Sequence, residues 1–246
     1  YIGGFMKLTV LGRRGPFAVG GESTSSYLLQ SPNKKAVMLD AGSGSVAKLL
    51  NKISLSELGF LVLTHLHFDH ASDIGVLSYA VDFLRVRAGG EKLNVYIPFD
   101  NSPLENVIKN VKEFNAIRIA ENEVYSDSGY KFEFFRMNHP VKTYGVKICD
   151  GEKTFAYSGD TNVCDNIPKL LKNADFAVLD GMVLGGENTN APHLSAVKAC
   201  EYLKENGVKG LISHLKYDVG ETVYEKEIEN YKTIAKIAKE GETIEF

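Results

Sequence analysis

The sequence predicts an α+β protein built from two β-sheets packed face to face, with helices on their outer surfaces. Three observations lead there. Apolar runs of strand length stop abruptly at turn residues. Segments with helical apolar spacing follow several of them. This order of strands and then helices occurs twice along the 246 residues. Sheets that bury one face on each other and the other under helices satisfy all three.

In the first half, residues 7–11, 26–30 and 36–40 read as strands, 45–51 as a short helix and 60–64 as a buried strand. Residues 72–87 are apolar at Ile74, Leu77, Val81 and Leu84, which is helical spacing. A strand at 94–97 precedes a polar, mixed stretch reaching about residue 115. In the second half, strands fit 131–137, 144–149, 155–158 and 176–179. A helix over 195–205 carries Val197, Ala199, Cys200 and Leu203 on one face. Residues 210–213 read as a strand and 223–239 as a final helix, its Lys/Glu alternation marking a solvated face. With no linker-like or repetitive tract, residues 6–246 are expected to form a single domain. Residues 1–5 precede Met6 and are set aside as a cloning remnant.

The composition, 44% hydrophobic and 24% charged, is that of an ordinary globular chain. A chain of this length buries a core without disulfides or a structural metal, so any metal is expected to be functional. The net charge of −3 and the lack of a long Lys/Arg run disfavour a dedicated nucleic-acid binder. Cys149, Cys164 and Cys200 show no CxxC spacing and read as reduced thiols of a cytoplasmic protein. No secretory leader opens the chain, and no apolar run approaches the ~20 residues of a membrane span.

The chemistry starts at Leu63-Thr64-His65-Leu66-His67-Phe68-Asp69-His70, where three of the six histidines and one carboxylate fall within six positions. A buried strand delivers this loop. In extended backbone His65 and His67 point to the same side, whereas Asp69 and His70 approach from the turn into the next helix. Imidazole and carboxylate suit Zn²⁺ best and accept Mn²⁺ or Fe²⁺. Four donors packed so tightly in sequence fit one tetrahedral ion poorly, so two metals, each completed from elsewhere, are expected. The completing ligands should sit where strands end. His139 follows Phe132-Glu133-Phe134-Phe135-Arg136-Met137, Asp160 lies within Tyr157-Ser158-Gly159-Asp160-Thr161, and His214 follows Gly210-Leu211-Ile212-Ser213.

Together these elements resemble the metallo-β-lactamase-fold hydrolases, from about residue 6 to the C-terminus. The resemblance implies a four-layer αββα sandwich with a dinuclear site between the sheet edges. It implies that His65, His67 and His139 hold one metal, that Asp69, His70 and His214 hold the second, and that Asp160 bridges both. Two divalent ions, Zn²⁺ foremost with Mn²⁺ or Fe as alternatives, would share a hydroxide oriented by Asp69 and act as a hydrolase. His67 stands where flavin-linked di-iron relatives carry Glu, and the bridging Asp160 is unlike most zinc β-lactamases.

His193 narrows the branch. Ala191-Pro192-His193-Leu194-Ser195-Ala196 places it just before a helix that Ser195 can cap. This looks like the ribonuclease Z and cyclic-phosphodiesterase branch, where the resemblance gives that histidine a proton for the leaving oxygen or a grip on the phosphate. Gly20-Gly21-Glu22-Ser23-Thr24-Ser25-Ser26 and Asp40-Ala41-Gly42-Ser43-Gly44 resemble the same branch. Two departures turn away from tRNA maturation: only residues 140–159 separate His139 from Asp160, too few for the flexible arm of those enzymes, and Tyr157 stands where they carry an acid. Phe68 would sit beside the metals and narrow the entrance. Gly42-Ser43-Gly44-Ser45-Val46-Ala47 matches a dinucleotide fingerprint, but the next strand ends in Thr64-His65 instead of an acidic residue. Cys164 is read as a plain thiol and residues 187–190 as a polar loop near His193.

The expected function is a dinuclear metal-dependent phosphodiesterase for small phosphodiesters or cyclic nucleotides. A lactonase or glyoxalase-II-like thioesterase and a non-catalytic metal-holding sensor are the alternatives. The expected partner is the small-molecule substrate, with nucleic acid not favoured by charge and no membrane. Homodimers are implied by the resemblance alone.

Overall fold

The computed structural model describes residues 4–185 and 190–246. The order of elements runs β1 (Lys7–Gly12), β2 (Arg14–Gly15), β3 (Ser26–Gln30), β4 (Ala36–Leu39), α1 (Ser45–Leu50), β5 (Leu58–Val62), α2 (Phe68–Ala71) and α3 (Ile74–Val81). It continues with β6 (Leu93–Ile97), α4 (Pro103–Asn110), β7 (Phe114–Arg118), β8 (Val124–Asp127), β9 (Tyr130–Arg136), β10 (Tyr144–Cys149) and β11 (Thr154–Tyr157). It closes with α5 (Asn166–Leu171), β12 (Phe176–Asp180), α6 (Ala196–Asn206), β13 (Lys209–Ser213), β14 (Leu215–Lys216), α7 (Glu221–Glu227), β15 (Ala235–Ile237) and β16 (Thr243–Glu245).

Among the described residues two seven-stranded sheets form, in the orders β16-β1-β3-β4-β5-β6-β7 and β15-β13-β12-β11-β10-β9-β8. Each is antiparallel on one side and parallel on the other. In the first, β4, β5, β6 and β7 run parallel. In the second, β11, β12, β13 and β15 do. Side chains alternate across each sheet. Tyr27, Leu29, Leu39, Phe60 and Val62 of the first sheet meet Phe132, Phe134, Val146, Phe155 and Val178 of the second in one core. Leu28, Met38 and Leu61 point the other way and pack under Val46, Leu49, Leu77 and Ile108 of the helices. Ala177, Leu179 and Ile212 do the same against Leu170, Ala199 and Leu203. These three apolar layers are the αββα sandwich.

The structure corrects several boundaries. The buried strand expected at 60–64 is β5, so Thr64 and His65 already lie beyond the sheet. The single helix expected over 72–87 is α3 followed by a π-helical turn, Asp82–Val86. The polar stretch before residue 115 contains α4 and the first residues of β7. There Ser102 accepts from the Glu105 N–H at 3.2 Å, with Pro103 at the first helical position. The final helix over 223–239 is overturned: α7 ends at Glu227, and β15 pairs with β13 at Gly210↔Ala235 and Ile212↔Ile237. Ile234, Ala235, Ile237 and Ala238 fit a helical period as well as a strand, and the vacant edge of β13 decides for the strand. Residues 187–189 of the expected polar loop lie outside the described residues, as do residues 1–3.

Candidate metal centre

Parallel strands bring their C-terminal ends to the same edge, the usual seat of a ligand site in such sheets. His65 follows β5, His139 follows β9, Asp160 follows β11 and His214 follows β13. The structure therefore brings all seven expected ligands together. One group is His65, His67, His139 and Asp160; a second is Asp69, His70, Asp160 and His214, each with donor atoms within 4.8 Å of one another. Asp160 belongs to both.

In the first group His67 Nδ1 lies 3.1 Å from His65 Nε2 and 3.2 Å from His139 Nε2. Donors at ~2.0–2.1 Å around a tetrahedral ion stand roughly 3.3 Å apart, so these nitrogens are spaced like the ligands of one cation. Asp160 Oδ2 is 3.6 Å from His65 Nε2. In the second group Asp160 Oδ1 is 3.0 Å from His70 Nε2, and Asp160 Oδ2 is 3.3 Å from His214 Nε2. Asp69 Oδ2 stands 3.7 Å from His70 Nε2 and 3.8 Å from His214 Nε2.

Three observations show that the donors fit divalent metal. First, His70 Nε2 and Asp160 Oδ1 are buried and face each other at 3.0 Å without good hydrogen-bond geometry to any group, a costly state that ligation would relieve. Second, the far ring nitrogens of His65, His70, His139 and His214 are already held, as they are in metal-bound imidazoles. Thr64 Oγ1 lies 3.1 Å from His65 Nδ1, Asp40 Oδ2 2.7 Å from His70 Nδ1, the Pro192 carbonyl 3.1 Å from His139 Nδ1, and Ser25 Oγ 2.9 Å from His214 Nδ1. Third, burial followed by the mutual repulsion of the imidazoles holds His65 and His214 well below their ordinary pKa. Burial likewise lowers His139 to about 3. These rings are neutral, the state in which imidazole ligates. At His70 burial opposes the charged form, yet Asp160, Asp40 and Asp69 outweigh it and raise the pKa. The same three carboxylates favour any cation at that position.

Asp40 and Asp180 each hold a histidine of the centre, a role the sequence reading assigned to neither. Asp40, fully buried, accepts from the Thr64 N–H at 2.7 Å, the Tyr157 hydroxyl at 2.7 Å and His70 Nδ1–H at 2.7 Å. It ties the metal loop to the opposite sheet. Tyr157 thus donates to a buried carboxylate at the position where an acid was expected for tRNA processing. Asp180, at the end of β12, accepts from the Thr161 N–H at 2.9 Å and from His193 Nδ1–H at 2.8 Å. Both carboxylates occupy strand ends followed at once by small residues, the same address that marks the ligands.

His193 stands at the rim, its Nδ1 4.0 Å from Asp160 Oδ2 and its ring stacked on that of His214. Burial disfavours its charged form, but Asp180 and then Asp160 raise its pKa to about 9. The Ser195 cap expected from the sequence is present, accepting from the Lys198 N–H at 3.1 Å. Phe68 is 74% exposed, so its ring reaches into solvent instead of packing inward. Cys164 takes no part in either donor group. The glycine pair 42 and 44 serves packing: a Cβ at Gly42 would come within 2.4 Å of the Asp69 carbonyl oxygen.

A buried two-cluster His/Asp centre at one edge of an αββα sandwich defines the metallo-β-lactamase fold class. A family model described as the β-lactamase superfamily domain matches residues 35–214, and the chain belongs to that superfamily. It is 30% identical over 215 residues to the probable metallo-hydrolase YhfI of Bacillus subtilis, covering 85% of this chain and 87% of that one. The crystal structure of YhfI superposes with a TM-score of 0.88 at 27% identity, covering 98% and 99% of the two chains. A diphosphatase from the PhnP family (TM-score 0.78, 19% identity, 98% and 97% covered) and the short form of human tRNase Z (0.76, 16%, 97% and 98%) share the fold. Among the described residues no helix is long and apolar enough to cross a membrane.

Proposed function

We propose that this protein is a two-metal phosphodiesterase of the cytoplasm, acting on small phosphodiesters, cyclic nucleotides among them. The observation that carries the reading is the Asp180–His193 pair at the rim of the two donor groups. When bound, two divalent ions, Zn²⁺ foremost, supply Lewis acidity and a water made acidic enough to attack near neutral pH. The chain does the rest. His65, His67, His139, Asp160, Asp69, His70 and His214 would hold the ions, and Asp69 would also orient the attacking water. Asp180 occupies His193 Nδ1 and so directs Nε2 towards the substrate. His193 is kept protonated near neutral pH and delivers that proton to the departing alkoxide, a poor leaving group without it. Thioester hydrolysis expels a thiolate, a good leaving group, and has no such need.

The relatives' names support the class: a probable metallo-hydrolase, a diphosphatase and a tRNase Z. The net charge of −3 favours a small substrate over a long polyanion. The metal-loaded protein should cleave bis-p-nitrophenyl phosphate and 2′,3′-cyclic nucleotides. Thioester or lactone cleavage without any phosphodiester turnover would refute the reading.

A further inference from the structure

Two exposed aromatic rings lie stacked just beyond the second donor group. Phe17 and Tyr217, 49% and 39% exposed, stand with ring centroids 4.0 Å apart and planes 29° from parallel. Among the described residues, theirs is the aromatic pair in which both rings are exposed. Their place follows from the chain. β2 and β14 pair in parallel, Arg14 with Leu215 and Gly15 with Lys216, so both strands run past His214 in the same direction. Gly15 closes on the His214 ring. Phe17 follows Gly15 by two residues and Tyr217 follows His214 by three. At ~3.6 Å per residue at most, the first step spans no more than roughly 7 Å and the second roughly 11 Å.

The backbone under these rings is fixed by buried groups. Arg14 donates to the carbonyls of Lys216 and Val219 at 2.7 and 3.0 Å, closing the turn that carries Tyr217. The Lys216 N–H reaches the Tyr224 hydroxyl at 3.1 Å, and the Leu215 N–H reaches the Arg13 carbonyl at 2.8 Å. Glu22, at the far end of the loop that carries Phe17, accepts from Arg13 at 2.8 Å and from Arg14 at 2.5 Å. Burying two guanidinium groups is costly unless they are paired, and here the pairing clasps both ring-bearing segments together. An ordinary surface turn folds without such a clasp. A ligand platform gains from one, because rings already in place lose little freedom on binding.

We propose that Phe17 and Tyr217 are the platform on which the base of a nucleotide stacks, so that the substrates are nucleotides and not base-free phosphodiesters. The inference rests on the phosphodiesterase reading above. A single ribose separates a nucleotide's phosphate from its base, and the rings stand a few residues from a metal ligand. The chemistry of the rings matches as well. Every base has a π-face that stacks on Phe or Tyr, whatever groups its edge carries. A glycerol or other aliphatic ester offers no such face. The platform therefore reads the presence of a base and tolerates its identity.

Isothermal titration of the full Zn²⁺-loaded chain with AMP and with ribose 5-phosphate tests this without turnover. AMP should bind at least ~10-fold more tightly. Tyr217→Ala should remove that advantage and Tyr217→Phe should retain it. Turnover supplies a second arm. The ratio of kcat/KM for 2′,3′-cyclic AMP to that for methyl riboside 2′,3′-cyclic phosphate should fall roughly 10- to 100-fold in Tyr217→Ala, through KM. Should Tyr217→Ala misfold or lose metal, Phe17→Leu should lower the same ratio while keeping an apolar contact. Equal affinity for AMP and ribose 5-phosphate would overturn the inference, as would a ratio that neither variant moves. Base-selective binding without any phosphodiester turnover would support the platform and refute the proposed reaction.

Discussion

Asp180 Oδ2 lies 2.8 Å from His193 Nδ1, and the same oxygen accepts from the Thr161 N–H at 2.9 Å. One carboxylate thereby fixes the tautomer of the rim histidine and the backbone of the residue after Asp160. Replacing Asp180 with Asn should lower kcat on cyclic nucleotides by roughly 10²-fold, the usual scale of a general acid. His193→Ala should lose at least as much, with metal content unchanged. Parallel elemental analysis and steady-state kinetics check both, and loss of metal in His193→Ala would assign that residue to ligation instead.

Asp40 supports the second cluster through His70. Asp40→Asn should weaken metal binding there about 10- to 100-fold, the usual effect of losing the partner of a ligating histidine. Isothermal titration of the metal-free protein should then show one strong step and one weakened step. Two undiminished steps would show that Asp40 is only a structural tie.

Metal removal should cost stability. Without cations, buried His70 Nε2 and Asp160 Oδ1 make no hydrogen bond of good geometry, and binding to the native state alone stabilises it by ~4 kcal/mol at 1,000-fold excess over Kd. A chelator should therefore lower Tm by several degrees and Zn²⁺ should restore it. In Asp160→Asn the chelator shift should largely vanish. An unaltered Tm on chelation would contradict a metal held by these residues.

Gly15 closes against the His214 ring so tightly that a Cβ would lie 2.2 Å from its Cε1. His214 itself takes a left-handed backbone with φ 58°, a conformation the surroundings must enforce. Gly15→Ala should displace the ring and reduce occupancy of the second metal while the chain still folds. Metal stoichiometry together with the far-ultraviolet circular dichroism spectrum reads this out.

Much of the site was legible because its residues share one address. His65, His139, Asp160 and His214 each follow an apolar strand, and strand ends are what parallel sheets align. Asp40 and Asp180 share that address but stand outside the histidine pattern, so nothing in the sequence gives either a role beside the ligands. In the fold, α4 carried a readable signal in Ser102, Pro103 and Glu105, hidden by its polar surroundings. β15 was not readable locally. Ala235-Lys236-Ile237 becomes a strand because β13 offers it an unpaired edge, and no local periodicity records that edge.

The proposed reaction is the joint action of two metals on a phosphodiester. It is tested most directly by titrating metal-free protein with Zn²⁺ while following hydrolysis of bis-p-nitrophenyl phosphate. The rate should rise to a plateau at two equivalents per chain. A plateau at one equivalent, or no hydrolysis at any loading, would contradict it.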